Sequence, residues 1–235
     1  MEQSDITFLI PHASSEELFS ICKEAIYGFF PKANILVADK DRFPHWNQAI
    51  KWLWDNCPTD IGIFIDDDCI LLEDISSLIN RVKNGNYYMV GVEGIIPHKS
   101  GQYLRYSPHY YDMTFMVIDI ARFKKEFGDD IEVDRELAKK EIPEGRSIEK
   151  YYGISQKLRN KSIYNLYAEL SDYGEATTYG VGGVKYMIHL WYGAYKHRGE
   201  KDHKEIQDLF IKDYKERKSN IDNFKKQYET TFGLR

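Results

Sequence analysis

The feature that most restricts how this chain can fold is a strand–helix–strand–helix–strand alternation that runs straight into three consecutive aspartates. Ile6-Thr7-Phe8-Leu9-Ile10 is a short apolar run stopped by Pro11 and reads as a buried strand. Ser14 and Glu17 have capping-box spacing and open a helix to about Phe29, with Leu18, Ile21, Cys22, Ala25 and Ile26 on one face. Pro31 ends it. Ala33 to Ala38 is a second strand, closed by Asp39. His45 to Cys57 is a second helix with Trp46, Ala49, Ile50, Leu53 and Trp54 on a stripe. Ile61 to Ile65 is a third strand, followed at once by Asp66-Asp67-Asp68. Strands joined through helices lie parallel with right-handed crossovers. The expectation is therefore an α/β chain, Rossmann-like, with a mostly parallel central sheet and helices on both faces. Such sheets bind ligands beyond the carboxyl ends of their strands. Pro11, Asp39 and Asp66 all fall at that edge.

The second half is less regular. Ile75 to Val82 predicts a helix, Tyr87 to Val92 a strand, Met113 to Ile118 another strand, and Ala121 to Phe127 a helix. Asp129 to Glu144 is charge-rich and reads as a surface excursion. Ser147 to Arg159 predicts a helix and Ile163 to Ala168 a strand. Tyr173 to Gly183, rich in Gly, Thr and Tyr, reads as a loop whose Gly180-Val181-Gly182-Gly183 could hinge a lid. Lys201 to about Tyr228 reads as a polar helix with a thin stripe of Ile206, Leu209, Phe210 and Tyr214. With no repeat, low-complexity tract or linker, one domain over 1–235 is expected. Its parts would be a donor-binding half (1–100), an acceptor-binding half (101–200) and a terminal helix (201–235).

Composition narrows the function classes. The 235 residues carry a net charge of −5, which gives no support for nonspecific nucleic-acid binding through a basic face. The cysteines, Cys22, Cys57 and Cys69, are odd in number and lack zinc-site spacing, which fits a reducing, cytoplasmic setting. Met1 to Asp5 has no basic region of a signal peptide, and no apolar run approaches the roughly 20 residues of a membrane span. Stable membrane insertion is not expected.

Three adjacent carboxylates at a strand end repel one another, and a divalent cation relieves that cost. If extension continues past Ile65, Asp66 and Asp68 share one face and Asp67 points away. An Asp-X-Asp pair offers hard oxygens suited to Mg²⁺ or Mn²⁺. A diphosphate leaving group needs such an ion, because it departs with negative charge. The other reading of the same residues is an acidic turn leading to the helix near Glu73-Asp74.

With these residues in view the chain resembles a GT-A glycosyltransferase, close to the family 2 style and to its small bacterial and phage-type members. The match covers most of the chain through short motifs. Ile6 to Ile10 with Pro11-His12 resembles the first nucleotide-binding strand. Asp39 stands where such enzymes place an acid that contacts the nucleobase or ribose. His45-Trp46-Asn47-Gln48-Ala49-Ile50 resembles the Asn-containing helix before the metal motif, and Asp66-Asp67-Asp68 stands at the Asp-X-Asp (DXD) position. Thr114 to Ile118, with Arg122-Phe123 and Phe127-Gly128, resembles the acceptor-side strand and helix. His189-Leu190-Trp191-Tyr192-Gly193 with Lys196-His197-Arg198 resembles the His-containing motif near the end. The resemblance implies a smaller antiparallel element in the acceptor half and makes His189 the third metal ligand beside Asp66 and Asp68. It puts Pro11, His12, Asp39, Asn47, Asp66 and Asp67 on the donor, with Asp67 supporting the turn or contacting the ribose. Lys196 and Arg198 would neutralise the diphosphate. The family's acidic pair in the acceptor half is incomplete here, at Glu149-Lys150, and Tyr192 stands where relatives often have His.

An inverting enzyme needs a carboxylate to take the acceptor hydroxyl's proton. Glu149 has the family position. Asp112, in Tyr110-Tyr111-Asp112-Met113, has an aromatic setting suited to a sugar, and Glu93 is a further candidate. Trp191, Tyr110, Tyr111 and Tyr179 are candidate acceptor-cleft residues. The expected activity is metal-dependent transfer of a sugar from a nucleotide-diphosphate donor, UDP-hexose, to a hydroxyl acceptor. That acceptor is a glycan, protein, lipid-linked sugar or modified DNA base. The competing readings are a nucleotidyltransferase of similar fold, which would need a Gly-rich phosphate loop after the first strand, and a non-catalytic, metal-stabilised binding module.

Overall fold

A computed structural model describes residues 5–39, 41–93, 95–97, 103–105, 110–142, 148, 151–171, 176–190 and 207–219. Strand β1 (Ile6–His12) lies between β2 (Asn34–Asp39) and β3 (Ile61–Ile65), parallel to both. Helices α1 (Glu16–Phe29) and α2 (Trp46–Asn56) make the two crossovers. One crossover steps to the left of β1 and the next to its right, so two connections of the same hand must place their helices on opposite faces. They do. Ile6, Phe8 and Ile10 of β1 join the core under α1, whereas Leu9 joins the core under α2. The alternation is the period-two geometry of a strand buried on both sides.

Two sequence expectations shift slightly here. β1 does not stop at Pro11 but continues to His12; its pairing with β3 ends at Leu9, so the last residues pair only with β2. One-sided pairing is the setting in which a strand tolerates proline. The N-cap of α1 is Ser15, whose Oγ accepts from Leu18 N at 3.3 Å, not Ser14.

Beyond the aspartates come β4 (Cys69–Leu71), α3 (Ser76–Lys83), β5 (Met89–Glu93), and a separate antiparallel pair, β6 (Ile95–Pro97) with β7 (Tyr103–Arg105). Then follow β8 (Tyr111–Asp119), α4 (Ile120–Phe127), α5 (Arg135–Glu141), α6 (Tyr152–Lys157), β9 (Ile163–Leu170), β10 (Thr177–Val181), β11 (Val184–His189) and α7 (207–219). Among the described residues the main sheet has nine strands in the order β2-β1-β3-β8-β5-β9-β10-β11-β4. Parallel pairing holds β2, β1 and β3 together and joins β5 to β9; every other neighbour is antiparallel. The mixed α/β class with helices on both faces is observed, but the sheet is mixed rather than mostly parallel. Parallel neighbours need a long crossover, and the short connections between β9 and β10 and between β10 and β11 can only reverse the chain.

The segment read as a glycine-rich loop and lid hinge is instead the β10–β11 hairpin. Gly182 and Gly183 turn it at φ 62° and 82°, in the left-handed region that glycine enters without strain. The stripe on α7 is also corrected. Gln207, Phe210 and Ile211 are buried and Tyr214 packs against the core, while Leu209 is exposed; Ile206 lies outside the described residues. Lys215 and Lys218 reach Glu17 and Glu24, which seats α7 along α1.

Candidate metal centre

The topology gathers the candidate residues on one sheet edge. His12 ends β1, Asp39 ends β2, Asp66 follows β3, and His189 ends β11. β8 runs antiparallel to β3, so the backbone of Asp112 near its start lies at that same edge, opposite Val92 where the β5–β8 register shifts.

The aspartate run does not extend the strand. Cys69 N donates to Asp66 O at 3.0 Å, so residues 66–69 form a tight turn, anchored by Asp66 N on Thr114 O at 3.0 Å. The turn carries the chain from β3 in the sheet interior to β4 at its far edge, where β4 pairs with β11 and sets His189 opposite Cys69. Leu190 N closes the junction on Asp68 O at 3.0 Å. Asp66 and Asp68 converge as alternation would predict, but a turn rather than extended backbone brings them together.

His189 is buried, with Nε2 3.1 Å from Asp68 Oδ1 and 3.9 Å from Asp66 Oδ2. One ligand atom from each of Asp66, Asp68 and His189 lies within 4.8 Å of the others. Two carboxylate oxygens and one imidazole nitrogen suit Mn²⁺ or Mg²⁺, with positions left for water or a substrate phosphate. Tyr179 Oη lies 3.1 Å from His189 Nδ1, and Tyr179 is fully buried on β10. If Nδ1–H donates to this hydroxyl, the Nε2 lone pair faces the aspartates, which is the tautomer a metal needs. Tyr179 was expected in an acceptor cleft; it is instead a buried support of His189. The sequence signal was the alternation in Thr177–Val181, hidden by flanking glycines. Tyr179→Phe is expected to weaken Mn²⁺ binding about tenfold, read by titration of the free ion's paramagnetic resonance. Unchanged affinity would remove the tyrosine from the site.

Asp67 faces the other way. It is buried, and its Oδ2 accepts from Ala13 N, Ser14 N and His12 Nδ1, each at 2.7 Å. Three donors on one carboxylate oxygen fit support of the turn rather than contact with a ribose. His12, also expected on the donor, is buried, with Nε2 3.2 Å from Glu16 Oε1 and its ring stacked on Phe19 at 4.1 Å. The hydrogen bond to Asp67 raises the His12 pKa above its usual value, against the opposing effect of burial. Two histidines thus divide the run: His189 faces its outer members and His12 holds its centre.

The remaining candidates are placed as follows. Pro11 is buried within β1. Asp39 is exposed, and its Oδ1 accepts from Asp41 N at 2.8 Å. Asn47 is in the first turn of α2 and lines a cavity of about 300 Å³ with Trp52, Ile131, Glu132 and Tyr151. None of the three aspartates lines that cavity. Tyr110 is buried beneath the surface rather than in a cleft, its hydroxyl donating to Glu141 at 2.7 Å, and burial pushes its pKa up to about 12. Tyr111 is buried as well, with its N on Ser155 Oγ at 3.1 Å. Glu149, Trp191, Tyr192, Lys196, His197 and Arg198 lie outside the described residues.

Fold and site together define an α/β protein with a two-carboxylate, one-imidazole candidate cation site at the carboxyl edge of its parallel strands. No family model matches the chain, and no curated protein sequence matches it. Solved structures similar to it include a protein from STIV, at TM-score 0.48 and 13% identity, covering 78% of this chain and 93% of the other. Another is the galactosyltransferase LgtC in complex with donor and acceptor sugar analogues, at TM-score 0.44 and 10% identity, covering 85% and 94%. A third is the mannosyltransferase PcManGT from Pyrobaculum calidifontis in complex with GDP-Man and Mn²⁺, at TM-score 0.45 and 6% identity, covering 68% and 54%. No helix among the described residues is long and apolar enough to cross a membrane.

Proposed function

We propose that this protein is a metal-dependent glycosyltransferase that moves a sugar, most simply a hexose from a UDP donor, to a hydroxyl acceptor. The observation that carries the reading is the convergence of Asp66, Asp68 and His189 at the sheet edge where α/β folds bind ligands. The GT-A resemblance of the sequence motifs supports it. Asp66, Asp68 and His189 would hold Mn²⁺ or Mg²⁺, which when bound supplies positive charge to a diphosphate leaving group. Asp39, exposed at the end of β2, would meet the ribose or base. Lys196 and Arg198 would add charge on the phosphates, Arg in bidentate fashion. Asp112 or Glu149 would accept the acceptor hydroxyl's proton at a carboxylate oxygen.

The nucleotidyltransferase alternative needs backbone N–H groups after β1 turned toward a phosphate. Here Ala13 N and Ser14 N are turned onto Asp67 instead, which counts against it. The test is a thermal-shift screen of nucleotides and nucleotide sugars with and without Mn²⁺. A nucleoside diphosphate sugar with Mn²⁺ is expected to raise Tm more than either alone, since each stabilises only the folded state that binds it. If no nucleotide gives a metal-dependent shift, the reading fails.

A further inference from the structure

We propose that Asp67 and His12 are positioning residues for the cation site, forming a buried clamp that aims Asp66 and Asp68 without touching the ion. The inference rests on the metal-site reading above and deepens it. Asp67 lies between the two expected ligands in the turn of residues 66–69, so a shift of its backbone re-aims the carboxylates on either side. Its Oδ2 is fixed by three donors from the β1–α1 junction, all at 2.7 Å and all from groups next to one another in sequence, His12, Ala13 and Ser14. His12 is fixed in turn by Phe19 and Glu16 of α1. The same helix meets the turn a second time, through Cys22 Sγ at 3.8 Å from Asp66 O. The β1–α1 junction and the first two turns of α1 therefore grip the turn. Ligand positions in a metal site tolerate errors of only a few tenths of an ångström, and the groups that orient ligands contribute to affinity without being ligands. The clamp also directs the middle carboxylate of the run into the protein, which leaves the outer two to face the ion.

The test uses the full chain and reads Mn²⁺ affinity directly, by paramagnetic resonance of the free ion, beside melting of the metal-free protein. His12→Phe keeps a ring on Phe19 but has no donor for Asp67. It is expected to weaken Mn²⁺ about tenfold. Charge alone works in the opposite direction, because removing a histidine's positive charge leaves cation binding unchanged or strengthens it. His12→Asn, whose amide donor stands near the Nδ1 position, is expected to restore most of the affinity. Wild-type affinity in a folded His12→Phe chain would overturn the clamp and leave the metal site standing. A wild-type chain that takes up no Mn²⁺ would instead remove the metal reading, and the clamp's role with it. A measurement on the unaltered protein guards against a variant that does not fold. Amide exchange at Ala13 and Ser14, both donors to Asp67, is expected to slow when Mn²⁺ is added. Exchange unmoved by saturating Mn²⁺ would overturn the coupling.

Discussion

Asp68→Ala is expected to abolish Mn²⁺-dependent stabilisation and to slow hydrolysis of a UDP-sugar donor by about a thousandfold or more. Asp68 contributes the oxygen nearest His189, at 3.1 Å from Nε2. Removing it leaves one carboxylate and one imidazole, a donor pair too sparse to hold a hard divalent ion against water. Binding at a hundred times Kd adds about 2.7 kcal/mol to stability; the variant should lose that increment. The metal-free protein should respond quite differently. Loss of one of three clustered carboxylates relieves repulsion, which offsets loss of the contact with His189, so its Tm should change little. The pair of measurements separates a site built for an ion from an acidic turn that merely stabilises the fold. Equal donor hydrolysis by variant and wild type would take the aspartate out of the mechanism.

Gly180→Ala is expected to destabilise the protein by about 3 kcal/mol, a fall in Tm of roughly 6–12 °C. A Cβ at this position would lie 2.1 Å from Val184 O and 3.0 Å from Val184 C. Both are backbone atoms of the facing strand, so no rotamer change relieves the clash. The position adjoins the register shift between Tyr179 and Gly180, where β10 and β11 already depart from regular pairing. Separating these strands displaces Tyr179 from His189, so Mn²⁺ affinity should fall with stability. Urea denaturation read by circular dichroism gives the value, and a change below about 0.5 kcal/mol would show that the hairpin yields more easily than its geometry indicates.

The parts of the fold legible in the sequence were those where one local pattern sufficed. β1, α1, β2, α2 and β3 announce themselves through apolar runs and stripes, because each is buried against the sheet or forms part of it. The hairpin of β10 and β11 was hidden because Gly180, Gly182 and Gly183 signal a loop, while the alternation between them is only a few residues long. Its strand character comes from pairing with β9 and β4, which no local pattern contains. The same limit applies at the site. The aspartates stand out, and the family resemblance pointed to His189. Tyr179 was misplaced because its partner lies on a neighbouring strand, diagonal to it across the ladder. The resemblance puts His12 on the donor; its contact with Asp67, more than fifty residues away, is written in no local pattern.

The turn at Asp66–Asp68 follows the third strand of the sheet, while the strand that faces it, β11, is the last in chain order among the described residues. Asp66 and Asp68 are made directly after β3, and His189, which faces them, only with β11, after the other described strands of the sheet. Contacts between such distant segments form late, since the entropy of closing the intervening chain must be overcome first. A nascent chain therefore carries the two aspartates through the synthesis of β4 to β10 without the histidine that faces them. Docking of β11 is at once the step that joins β10 to β4 in the sheet and the step that brings His189 to the acidic turn.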